Sequence, residues 1–178
     1  MNRLKTQDVA TATGNAAQLF QRIEKAVGMV PNAYVTMGTN SPLALEAILS
    51  LDATTRRSSL SVKEIESIKL AVSQSVRCDY CIAAHTMFGR KAGLSKEGIN
   101  GARYGTPSDD ARLDALTTFV RQLVTTSGTV PGPAVEAVRA AGYTDAQIVD
   151  ATLVIAVITF SNAFNRINDT PIDFPPAD

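Results

Sequence analysis

Apolar residues recur at three- and four-residue spacing along almost the whole chain. Nowhere does an apolar–polar alternation run long enough for a strand. That pattern confines the fold to packed helices. "AAQLFQRIEKAVG" is amphipathic and stops at Gly28. "VPNAYVTMGTNSP" predicts a short helix entered by Pro31 and ended before Pro42. "PLALEAILSLDATTRR" opens with Ser41 as N-cap and Pro42 at the first helical position. "LSVKEIESIKLAVSQSV" opens with Ser61 and Glu64, an S-x-x-E capping box. The next helix runs to about Lys91, with Gly93 as its stop. "LSKEGINGARYG" reads as short and weak, and "DDARLDALTTFVRQLVTTSG" as a clear amphipathic helix ending at Gly128. "PGPAVEAVRAAG" follows, and "YTDAQIVDATLVIAVITFSNAFNRIN" is the longest helix. The Pro-rich tail over 169–178 is expected to be extended.

No linker, repeat or low-complexity segment divides the 178 residues, so a single all-α domain over 1–178 is expected. Net charge is zero and tryptophan is absent, which argues against a nucleic-acid-binding surface. The N-terminal segment has no apolar core of the kind a signal peptide needs. The most apolar run, 148–164, contains Asp150, Thr152, Thr159, Ser161 and Asn162. A span needs about 20 mostly apolar residues. The run is read instead as a helix buried in a core or a subunit interface, with no membrane partner. A cytoplasmic location follows as the expectation. Cysteine pairs there are transient and catalytic, or bind metal.

"CDYCIAAH", residues 78–85, holds both cysteines and the only histidine. On a helix turning about 100° per residue, Cys78, Cys81 and His85 project from one face. Cys78 falls near the helix start, where the dipole stabilises a thiolate. A thiolate with an imidazole one turn away is a nucleophile in waiting. Upstream, Glu66 falls inside the apolar arc of its helix, between Val62 and Leu70. A buried carboxylate needs a partner. Lys69, three residues on, could be that partner; alternatively Glu66 points at the cysteine helix as a proton acceptor. The helical wheel leaves both readings open. Asn162, Asn165 and Asn168 read as solvated or interface amides without chemistry.

The stretch "LSVKEIESIKLAVSQSVRCDYCIAAHTMFGRKAGLS", the motif core over 60–95, resembles the AhpD-like alkylhydroperoxidases of the carboxymuconolactone decarboxylase family. Their pattern is a Glu twelve residues before a C-x-x-C, then a His four residues after the second Cys. Glu66, Cys78, Cys81 and His85 match that spacing. The form with Tyr80 between the cysteines is similar to the peroxidase-related subgroup. One departure is that the best-known AhpD has a second histidine there.

The resemblance implies an AhpD-like helical bundle assembling as trimers or hexamers. It also implies thiol peroxidase or disulfide-reductase chemistry without a cofactor. Cys81 would attack a small-molecule peroxide, and Cys78 would resolve. Glu66 and His85 would relay the proton, Tyr80 would line the substrate pocket, and a thiol or lipoyl-type donor would supply electrons. Helix-dipole logic points the other way, to Cys78 as the thiol of lower pKa. Two other classes share the residues. Cys78, Cys81, His85 and Glu66 could ligate zinc, and an oligomeric module could sense oxidants without turnover.

Overall fold

The computed structural model describes residues 2–177. Among them are a 3-10 turn at Val9–Thr11 and nine α-helices, with no strand. The helices are α1 Gly14–Val27, α2 Asn32–Asn40, α3 Pro42–Thr55, α4 Val62–Ser75, α5 Asp79–Lys91, α6 Lys96–Tyr104, α7 Ala111–Thr125, α8 Gly132–Ala140 and α9 Asp145–Asn168.

Helix starts follow local chemistry. Ser41 accepts from the Ala44 N–H, with Pro42 opening α3. Ser61 and Glu64 form the complete capping box of α4. Thr144 and Gln147 form a second one on α9. α6 is a full helix rather than the weak one expected. Ser95 caps its start, and Ile99 and Ala102 anchor its inner face. Gly93, at φ +87°, ends the α5 segment in the left-handed region that glycine tolerates. Gly38 is needed for another reason: a Cβ there would meet the Phe20 ring at 2.6 Å, so it lets α1 and α2 approach.

α4 is the hub and packs on α5, α6, α7 and α9. Its residues from Glu64 to Ser73 are all buried. Val62, expected in the apolar arc, is 51% exposed, whereas Glu64 and Ile65 in the same turn are buried. One apolar core surrounds α4 and includes Ile68, Leu70, Leu116, Val120 and Val154. A second core joins α1, α2, α3 and α9 through Leu19, Phe20, Met37, Leu45, Ile48 and Val157.

α9 is long and apolar enough to cross a membrane by length and composition alone. It is buried on one face only. Ala151, Val154, Val157 and Ile158 point inward, while Val149 is 66% and Phe160 42% exposed. The three asparagines, expected as solvated or interface amides, are buried on that inner side. Ser73 donates to Asn162, and Asn168 ties Leu4, Asn2 and Thr170 together.

Candidate active site

The connection from α4 to α5 is one tight turn. Arg77 adopts φ +54°, uncommon for a non-glycine residue, and reverses the chain. The Cys78 N–H then donates to the Ser73 carbonyl at 3.0 Å. Cys78 is therefore the N-cap of α5, with extended backbone, not a residue on the helix face. Its carbonyl still accepts the first helical bond, from Ile82. Cys81 sits one turn in.

Both thiols are free and only 2% exposed, and their sulfurs are 2.9 Å apart. At that separation the pair titrates as a unit. The Cys81 thiol stabilises a thiolate on Cys78 and lowers the Cys78 pKa, against the opposing effect of burial. The Cys78 sulfur and burial together push Cys81 well up, opposed by a hydrogen bond from Asn165. The first proton leaves easily and the second is held.

Glu66 satisfies both readings of the helical wheel. Its Oε2 lies 2.7 Å from His85 Nδ1, so it does face the cysteine helix. Its Oε1 lies 3.9 Å from Lys69 Nζ. Lys69 in turn donates to Asp52 Oδ1 at 2.6 Å, and Asp52 Oδ2 accepts from Arg56 Nε at 3.1 Å. Burial pushes the Glu66 carboxyl up, but His85 and Lys69 outweigh it and hold the pKa below the usual carboxylate range. A carboxylate only accepts, so it selects the His85 tautomer with hydrogen on Nδ1 and leaves Nε2 as acceptor.

Cys81, Glu66, His85 and Tyr80 line one cavity of about 440 Å³ at the seam between the two cores. Cys78 is absent from its wall. The walls are largely apolar, with Ile23, Ile48, Val157 and Phe88 among them. Tyr80 is anchored through its hydroxyl, which accepts from the Ala33 N–H at 3.3 Å. Its ring meets Phe174 edge-on at 5.4 Å. Phe174 belongs to the tail, which has neither helix nor strand over its described residues and forms a cavity wall. The Asp173 carboxylate accepts from the Asn32 N–H at 2.7 Å and docks the tail on the start of α2.

Three participants escape sequence reasoning. Asn165, expected as a solvated or interface amide without chemistry, is 5% exposed and donates to Cys81 Sγ at 3.3 Å. Tyr34 and Phe174 line the cavity without any motif. Only the three-residue rhythm of Asn162, Asn165 and Asn168 hinted at a common face. Among the described residues, no group of three or more His, Cys, Asp or Glu side chains is placed to hold a metal ion.

The model of the carboxymuconolactone decarboxylase family matches residues 42–108, the segment carrying α3 to α6. The uncharacterized protein YdfG of Bacillus subtilis (strain 168) is 30% identical over 134 residues, 72% of this chain and 86% of its own. The fold is shared with the alkylhydroperoxidase AhpD core of an uncharacterized peroxidase-related protein from Ralstonia eutropha JMP134. That match has a TM-score of 0.84 at 22% identity, over 99% of this chain and 93% of the other. It is also shared with the debrominase Bmp8, solved as a cysteine-to-alanine variant with 2,3,4-tribromopyrrole. There the TM-score is 0.81 at 17% identity, over 97% and 92% of the two chains. The helices that hold Glu66, Cys78, Cys81 and His85 are those the family model spans, and a relative aligns over most of both chains; the protein thus belongs to the carboxymuconolactone decarboxylase family, with an AhpD-like fold.

Proposed function

We propose that the protein is a thiol-dependent peroxidase, reducing organic hydroperoxides or hydrogen peroxide through a Cys78–Cys81 dithiol–disulfide cycle. One observation carries this reading: Cys81 lines the cavity beside the Glu66–His85 pair, with a second sulfur 2.9 Å away. The Cys81 proton passes toward His85 and Glu66. The thiolate attacks one peroxide oxygen, and the O–O bond breaks. The alcohol, or water, takes a proton and leaves Cys81 as a sulfenic acid. The Cys78 thiolate attacks that sulfur, the S–S bond forms, and the hydroxyl leaves with a proton as water. Two electrons have moved from dithiol to peroxide. A thiol or lipoyl-type dithiol returns them by exchange. The balance calls on no cofactor.

The lowered Cys78 pKa supports its resolving role, and 2.9 Å is short enough for a proton to pass between the sulfurs. The apolar walls support an organic hydroperoxide as the better substrate. A reduced dithiol works in a reducing compartment, which fits the cytoplasm. The exposed apolar face of α3 and α9 supports a homo-oligomer, a trimer or hexamer.

A second reading rests on the aromatic rings of Tyr34, Tyr80, Phe88 and Phe174 around the same cavity. In it the dithiol reduces a carbon–halogen bond of a flat aromatic, giving arene, hydrogen halide and disulfide. The test is peroxide consumption by the reduced protein with a dithiol donor, run in parallel with halide release from a bromopyrrole. Peroxide turnover is expected, lost by roughly 10³-fold in Cys81→Ser and by about 100-fold in Glu66→Gln. Halide release without peroxide turnover moves the assignment to the second reading. A reversible disulfide with neither activity points to an oxidant sensor.

A further inference from the structure

Lys69 is the unexpected member of the cavity wall. A lysine with a side chain 4% exposed needs its charge compensated. If its task were to neutralise Glu66, its Nζ would lie closest to Glu66. It lies instead 2.6 Å from Asp52 on α3 and 3.9 Å from Glu66. Asp52 draws the ammonium away. Glu66 keeps Oε2 on His85 and leaves Oε1 in the field of a cation that does not grip it.

We infer that Lys69 and Asp52 are positioning residues for the Glu66–His85 pair. Lys69 keeps the buried Glu66 carboxylate charged, and Asp52 keeps Lys69 from locking it. Glu66 is thus ionised at rest yet still able to take a proton. The groups facing it from the packed elements fit this division. His85 and Cys81 approach from α5, Asp52 and Arg56 from the end of α3, Tyr34 from α2, and α9 offers only the uncharged Ser161 and Asn165. Asp52 itself feels burial upward and Lys69 downward, and the net direction is down, as for a carboxylate held in an ion pair.

The two residues should act on Glu66 with opposite sign. Without Lys69, His85 alone opposes the effect of burial, and the Glu66 pKa rises. Without Asp52, Lys69 swings onto Glu66 and the pKa falls further. This rests on the peroxidase reading for its rate measurement only. The first readout is therefore independent of activity: carboxyl carbon NMR titration of Glu66 in the reduced protein, assigned with Glu66→Gln. Lys69→Met is expected to raise the midpoint by about 1–3 pH units. Lys69→Arg should restore it, and Asp52→Asn should lower it. The acid limb of the kcat/KM profile for peroxide should move the same way, with Lys69→Met regaining rate at alkaline pH. A folded Lys69→Met with an unmoved midpoint overturns the inference, even if it melts earlier. If Lys69→Met does not fold, an Asp52→Asn midpoint that stays put or rises overturns it. Shifted midpoints in a protein that consumes no peroxide uphold the electrostatic role and sink the peroxidase reading instead.

Discussion

Asn165 shows how a single amide can decide which sulfur is usable. Its Nδ2 donates to Cys81 Sγ, the sulfur whose thiolate is otherwise hardest to form. Asn165→Leu keeps the volume and removes the donor. Cys81 is then expected to need a higher pH to react, with labelling by limiting iodoacetamide slowed about tenfold at neutral pH. Mass mapping of the labelled cysteine checks it. Asp52 has a second consequence at this scale, in stability. Its folded pKa lies below the ordinary carboxylate range, so the ion pair stabilises the fold fully above that range. That contribution is lost as the pH falls through the lowered folded value. Wild type should therefore exceed Asp52→Asn in urea stability at neutral pH. The gap should begin to close as the pH falls to the ordinary carboxylate pKa, about 4, and go on closing below it. A gap constant across that series would count against the pair as its source.

Among the elements, helices with caps were legible and docked segments were not. Ser41 and Ser61 announce α3 and α4 because an N-cap depends on three or four neighbouring residues. The motif spacing found Glu66, Cys78, Cys81 and His85, and the structure brings Glu66 onto His85 and the two sulfurs together. A helical wheel cannot see a backbone reversal such as that at Arg77, so it puts Cys78 on a helix that this residue only caps. It cannot see a second helix either, so the burial of Asn165 beside Cys81 escapes it. The tail is the furthest case. Its hold comes from Asn32, whose N–H meets Asp173 and whose side chain donates to the Pro171 carbonyl. Phe174 then reaches both Tyr80 and Phe88. Phe174→Ala is expected to lower kcat/KM for a bulky aryl hydroperoxide by about three- to tenfold. The value for hydrogen peroxide, which has no group to pack there, should hold. Equal losses for both substrates would make Phe174 a general support and not a wall that selects.

On the scale of the whole molecule, α3 and α9 bring part of the exposed apolar surface together. Leu43, at 78%, and Leu51, at 43%, face outward on α3, and Phe160 does so on α9. Leu51, Ala47, Ala156 and Phe160 border a shallow apolar groove. If copies meet there, Leu51→Asp should leave the folded chain intact and shift light-scattering mass from oligomer to monomer. An unchanged mass would move the contact elsewhere. The cavity sits where the two cores meet, so anything entering it touches residues from both. Two of those residues are tyrosines. The chain has four tyrosines and no tryptophan, so nothing outshines their ultraviolet emission. Tyr34 and Tyr80 face the cavity, whereas Tyr104 is exposed and Tyr143 is buried elsewhere. Half of the native fluorophores therefore look directly onto the space beside Cys81. The protein carries its own optical probe for occupancy of the cavity, readable without a label.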